Sequence, residues 1–88
     1  LFQLDVPNII LEGLKPAEDG SHDLILRLYE AMHASPQCRL SVHMKVQAAW
    51  QTDLQEKIIQ SLDINNGNIH LSFRPFEIKT LRLKLSPE

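Results

Sequence analysis

The chain has 88 residues, a formal charge of −2, 43% hydrophobic and 23% charged residues, and one cysteine. That length makes a single domain able to bury little more than about 60% of its unfolded surface, and the composition is that of a globular chain rather than a disordered one. The near-neutral charge speaks against nucleic acid or an anionic membrane as a partner; no apolar run approaches the roughly 20 residues that span a bilayer, and one thiol excludes an internal disulfide and points to a reducing, cytoplasmic setting.

Phe2 and Leu4 lead into Asp5-Val6-Pro7, where the proline keeps the backbone extended before a first strand over residues 8–14. Ile9 and Leu11 lie on one face of that strand and Ile10 on the other, a two-sided apolar pattern that suits the middle of a sheet or a contact with a neighbouring domain. Residues 17–23 carry the Asp-Gly signal of a hairpin. Leu24, Leu26 and Leu28 then alternate with Ile25, Arg27 and Tyr29, as a central strand would. Ser35-Pro36 turns the chain, and Leu40, Val42, Met44 and Val46 alternate with polar residues as one half-exposed strand.

Residues 53–62 support two readings. Leu54, Ile58, Ile59 and Leu62 match helical spacing, with Asp53 as a candidate cap and Glu56 three residues on; strand and loop is the other reading, and the one adopted here. Asn65-Asn66-Gly67 signals a tight turn. From Leu71 to Leu85 the apolar residues alternate at Leu71 and Phe73, at Phe76 and Ile78, and at Leu81, Leu83 and Leu85. The phase slips at Pro75 and again between Ile78 and Leu81, which asks for a bulge near Lys79 and Thr80 or a crossing between sheets. Phe73 and Phe76 read as core. About seven short strands joined by turns predict an all-β, antiparallel, immunoglobulin-like sandwich.

Little in the sequence carries chemistry by itself. Glycoside hydrolysis needs two carboxyl groups about 5 to 5.5 Å apart in retaining enzymes, and no spacing among the acidic residues marks such a pair; Glu18 and Asp19 read as a solvated turn. His22, His33, His43, His70 and Cys38 lack metal-ligand spacing. His43 and His70 fall on polar strand faces, and Cys38 reads as a structural thiol.

The segment Arg74-Pro-Phe-Glu-Ile-Lys-Thr-Leu-Arg-Leu83 resembles the end of the family 38 glycoside hydrolases, the α-mannosidases, in their cytosolic and bacterial branch. Asn8 to Gly20, Leu24 to Glu30 and Thr52 to Glu56 agree with it in order and spacing. Gly13-Leu14 and Met32-His33 depart from the family pattern, where Thr-Val and a glycine are common. The resemblance implies that residues 1–88 are the C-terminal β-domain of a larger hydrolase whose catalytic domain, with its zinc or other divalent metal and its aspartate nucleophile, lies outside this segment. It implies no cofactor here, the catalytic domain of the same chain as partner, and a mannose-containing glycan as the parent's substrate.

In that frame Arg27, Tyr29 and Glu30, read as one face of a central strand, and Arg74 and Glu77 around Pro75, are candidates for an interdomain or cleft-rim face. The plainer reading of Arg27 and Glu30 is a cross-strand charge pair beneath the Tyr29 ring. The alternative function is a free-standing carbohydrate-binding or protein-interaction module, with Trp50 as its sugar platform. The two differ in where apolar surface is left exposed: the severed-domain reading expects it around Ile9, Ile10 and Leu11.

Overall fold

In the computed structural model, which describes residues 2–86, every regular element is a strand. In chain order they are β1 (Phe2–Leu4), β2 (Ile9–Pro16), β3 (Leu24–Glu30), β4 (Gln37–Val42), β5 (Val46–Thr52), β6 (Ile58–Leu62), β7 (Asn68–Ser72) and β8 (Ile78–Leu85). Two antiparallel sheets form the sandwich, one in the order β1-β4-β7 and the other β2-β3-β8-β5-β6. The extra strand is Phe2–Leu4, which pairs with β4 instead of merely leading in. Division into five and three, with β8 in the middle of the larger sheet, differs from the four-and-three order of a constant immunoglobulin domain.

Period-two alternation explains the core. Leu26 and Leu28 on β3 and Leu81 and Leu83 on β8 face Leu40 on β4 and Ile69 on β7, and none of the six retains exposed surface. Phe73, Ala49, Val42, Leu71 and Cys38 complete the layer. Burial pushes the Cys38 thiol up to about 11, with Asp5 adding to it, so the thiol stays protonated and unreactive near neutrality.

Several local expectations are corrected by the tertiary pairing. β2 is an edge strand, not a middle one; a bulge at Glu12, between the Leu11 and Gly13 pairings, and Pro16 at its end blunt that edge. Ile9 is buried, Leu11 packs against the core, and only Ile10 of the expected apolar trio is exposed. The Leu40–Val46 run is two strands in different sheets, and its even alternation survives because both ends face one core.

Residues 53–62 form no helix. Asp53 does cap, but it caps a turn: its Oδ1 accepts the amides of Gln55 at 2.8 Å and Lys57 at 2.9 Å, and Glu56 turns the chain with a φ of 67°. The β-branched pair Ile58-Ile59 then enters β6, where pairing with β5 outweighs helical spacing. At Asn66 and Gly67 both φ values are positive, 53° and 80°, and the Asn65 and Asn68 amides and carbonyls bond reciprocally, the geometry of a type I′ turn.

The Leu71–Leu85 stretch crosses between sheets at residues 73–77, so it is two strands joined by a corner. No bulge occurs near Lys79 and Thr80, where the β3–β8 register is unbroken. The second phase slip arises because Ile78 faces outward, while Lys79 takes the inward position with its Nζ 5.6 Å from the Phe73 ring centre. Phe76, expected in the core, is exposed.

Truncation should separate these layers. Leu81→Ala should cost about 2–5 kcal/mol, most of the stability of a domain this size, whereas Ile58→Ala should stay within about 0.5 kcal/mol; urea unfolding followed by tryptophan fluorescence measures both.

Candidate functional site

The outer faces of the two sheets differ in chemistry. On the three-stranded sheet Gln3, Ser41 and Asn68 stand in register, with Arg39 opposite His70, and the face is polar throughout. His43 and His70 are exposed there, as expected, and His43 Nε2 lies 3.2 Å from Gln3 Oε1. On the five-stranded sheet one end of the outer face is apolar: Ile10, Tyr29 and Ile78 pair side by side across β2, β3 and β8. Ile10 is 49% and Ile78 48% exposed.

Two connections extend this row. Phe76, 51% exposed, comes from the β7–β8 corner, and its ring lies 6.5 Å from Tyr29 and 4.9 Å from His33, within 20° and 7° of parallel. Phe76 and His33 have φ values of 59° and 50°. Left-handed backbone is unfavourable for aromatic side chains and persists only where the surroundings impose it.

Beneath this corner lies Glu30, which the sequence reading grouped with Arg27 and Tyr29 on the outer face. Glu30 shares the inward parity of Leu26 and Leu28, pairs in register with Ile9, and has no exposed surface. Its Oε1 accepts the Phe76 amide at 3.0 Å; its Oε2 accepts the Met32 amide at 3.0 Å and Asn8 Nδ2 at 3.5 Å. Burial pushes the Glu30 carboxyl up, but the amides of Phe76, Met32 and Ala34 and the Asn8 side chain outweigh it and hold it below the ordinary carboxylate value. The charge-pair reading with Arg27 therefore fails. Arg27 stands exposed on the outer face, one row from Tyr29 and level with Thr80.

Arg74 and Glu77 meet through the backbone. The Arg74 amide donates to Glu77 Oε1 at 2.9 Å, and Glu77 Oε2 takes Lys79 at 3.4 Å. Of the five candidate face residues the fold thus brings Tyr29, Glu30, Arg74 and Glu77 to one corner with Arg27 beside it. The sequence reading expected Ile10 in an exposed apolar patch with Ile9 and Leu11 but missed His33 and Ile78; the register across β2, β3 and β8 and the ring stack reveal them.

Farther along the same face Arg82 on β8 was also missed. Its Nε donates to the buried Asp23 at 2.7 Å and its Nη2 to Asp19 at 2.8 Å and Ser21 Oγ at 2.9 Å, so one guanidinium pins the β2–β3 hairpin. Asp19, read as solvated, is held far below the usual carboxylate range by Ser21 and Arg82. Lys15 on β2 pairs with Glu56 of the β5–β6 turn at 3.2 Å, and with Glu18 at the same distance. Trp50, the proposed sugar platform, is half-buried in register with Arg82 rather than standing free.

These acids do not compose a hydrolytic pair. The described acids are instead drawn into ion pairs, Asp19 and Asp23 sharing Arg82, and Glu18 and Glu56 sharing Lys15. Among the described residues no three His, Cys, Asp or Glu side chains converge as metal ligands. Among the described residues no helix is long and apolar enough to cross a membrane.

Acid should act through Glu30. A carboxyl depressed on folding contributes stability that is fully present above its ordinary value of 4.5 and is lost as pH falls through the lower folded value. Thermal midpoints measured from about pH 7 to pH 2 should drop steeply at the acid end, and Glu30→Gln should give a shallower drop from a lower plateau.

The pattern described as the glycosyl hydrolases family 38 C-terminal beta sandwich domain matches residues 8–81. The chain is 34% identical over 90 residues to Alpha-mannosidase 2C1 of Homo sapiens, covering 98% of this chain and 9% of that protein. It is 34% identical over 88 residues to Alpha-mannosidase 2C1 of Mus musculus, covering 96% and 8%. The chain therefore spans about a tenth of the length of these relatives. These similarities, with the β-sandwich fold, establish that the chain belongs to glycoside hydrolase family 38, as a C-terminal β-sandwich domain.

Proposed function

We propose that this domain is the accessory C-terminal part of an α-mannosidase, a single domain that packs against the catalytic domain of the same chain and supports the shape of its cleft. The parent hydrolyses terminal α-mannose from glycans, in the cytoplasm, with a zinc or other divalent metal held outside this segment. The observation that carries the docking role is the uncovered apolar row Ile10–Tyr29–Ile78 with Phe76, set against a polar outer face on the other sheet. Half-exposed isoleucines in register beside a stacked aromatic make an adhesive surface, while isolated exposed apolar residues need no explanation.

Arg27, Arg74 and Glu77 fringe that row, the arrangement of an apolar centre with a polar rim that suits an interdomain contact. Glu30 lies beneath the face rather than in it. Trp50, the platform of the free-standing sugar module, is half-buried in register with Arg82, whereas Phe76 is exposed, and this favours the docking reading.

Two expected outcomes follow from this reading. The purified 88-residue chain should show no turnover of an aryl α-mannoside, and measurable turnover by it overturns the accessory role. Exchanging the matching segment of human Alpha-mannosidase 2C1 for this chain should yield an active enzyme, and adding Ile78→Glu should cut its soluble, active yield by about tenfold or more; the same substitution in the isolated domain should change stability by no more than about 0.5 kcal/mol.

A further inference from the structure

The aromatic corner is assembled from two loops that have no regular ladder of their own. One follows β3 and carries Met32, His33 and Ala34; the other joins β7 to β8 and carries Arg74 to Glu77. Beyond the ring stack, backbone bonds such as the Phe73 amide to the Pro36 carbonyl at 3.0 Å hold the ends of these loops, and one side chain bonds the interiors of both. Glu30, the last residue of β3, sends Oε1 to the second loop at Phe76 and Oε2 to the first at Met32, while its own amide donates to the Glu77 carbonyl at 3.0 Å. The Ala31 amide then donates to the Asn8 carbonyl at 2.8 Å, which brings the chain ahead of β2 into the same knot.

We infer that Glu30 is the positioning residue of the docking face: its buried carboxylate, rather than the stacking of the rings above it, fixes the two loops so that His33 and Phe76 are held in left-handed backbone and their rings stand ready beside Ile10, Tyr29 and Ile78. The reasoning is chemical. Each carboxylate oxygen accepts a backbone N–H from a different loop, and both oxygens must be acceptors at once. A glutamine of the same shape has one oxygen and one NH₂, so whichever way it is turned one loop amide meets a donor instead of an acceptor. A buried amide left without a partner costs enough to open its loop, and the strain at Phe76 or His33 favours that opening. The stack alone, between a half-exposed ring and its neighbours, is too weak to hold two strained residues. This inference rests on the docking reading for its consequence, but not for its structural content.

Amide hydrogen exchange and side-chain NMR on the 88-residue chain test it. In Glu30→Gln the amides of Leu26, Leu28 and Leu81 should keep their protection, while Phe76 or Met32 exchanges at least about tenfold faster. The ring-current shift that the parallel Phe76 ring imposes on His33 should collapse at the same time. In Phe76→Ala the ring is lost but the amide remains, and Met32 should keep its protection within about threefold. The inference is overturned if Glu30→Gln retains the His33 ring shift and both amide protections, if Phe76→Ala alone releases Met32, or if Glu30→Gln fails to fold, which would make Glu30 part of the core rather than of the face. Glu30→Gln placed in the exchanged human enzyme separates the two readings: loops released with activity and yield unchanged would uphold Glu30 as the positioning residue and refute the corner as the docking face.

Discussion

The last strand holds the molecule together. β8 lies between β3 and β5, and without it the larger sheet falls into two separate hairpins, β2–β3 and β5–β6, neither of which is stable alone in water. Its inward leucines, Leu81 and Leu83, are fully buried and face both sheets. Because the strand that joins the halves is the last in the described chain, most native pairing outside the two hairpins is non-local. Loop-closure entropy is then spent before the core rewards it, so the domain should fold slowly for its size.

β8 and its neighbours also organise the polar chemistry. Arg82 of β8 gathers Asp19, Asp23 and Ser21 and so fastens the β2–β3 hairpin across the outer face. Glu30 of β3 gathers the loops at the opposite end. Each is held by several partners, which is why they fix geometry; Glu30 is also fully buried, so removing one of its partners costs far more than the net worth of an exposed ion pair. No buried side-chain nitrogen or oxygen among the described residues lacks a partner, so the polar network is complete within the domain.

The apolar surface, by contrast, is incomplete. One end of the larger sheet leaves isoleucines and an aromatic ring exposed. A domain with such a hydrophobic face open is suited to the docking role proposed above. For such a part the rigidity of the face matters, since a preformed surface spends less ordering entropy on docking than a mobile one.

Period-two alternation made the sandwich, the β2–β3 hairpin, the Asn66-Gly67 turn and most of the core legible from residues alone, because those features depend on neighbours one to four positions apart. The family was legible from Arg74 to Leu83 and its companion segments. Tertiary structure alone decided which sheet each strand joins, and therefore that β2 is an edge, that Leu40 and Val46 belong to different sheets, and that Ile78 and Phe76 turn outward. It also decided Glu30: alternation counts place it inward, but only the meeting of two distant loops explains a buried carboxylate there. Local sequence sets the period of a strand, whereas the partners that satisfy a buried charge, or leave an apolar row uncovered, are brought by segments tens of residues away.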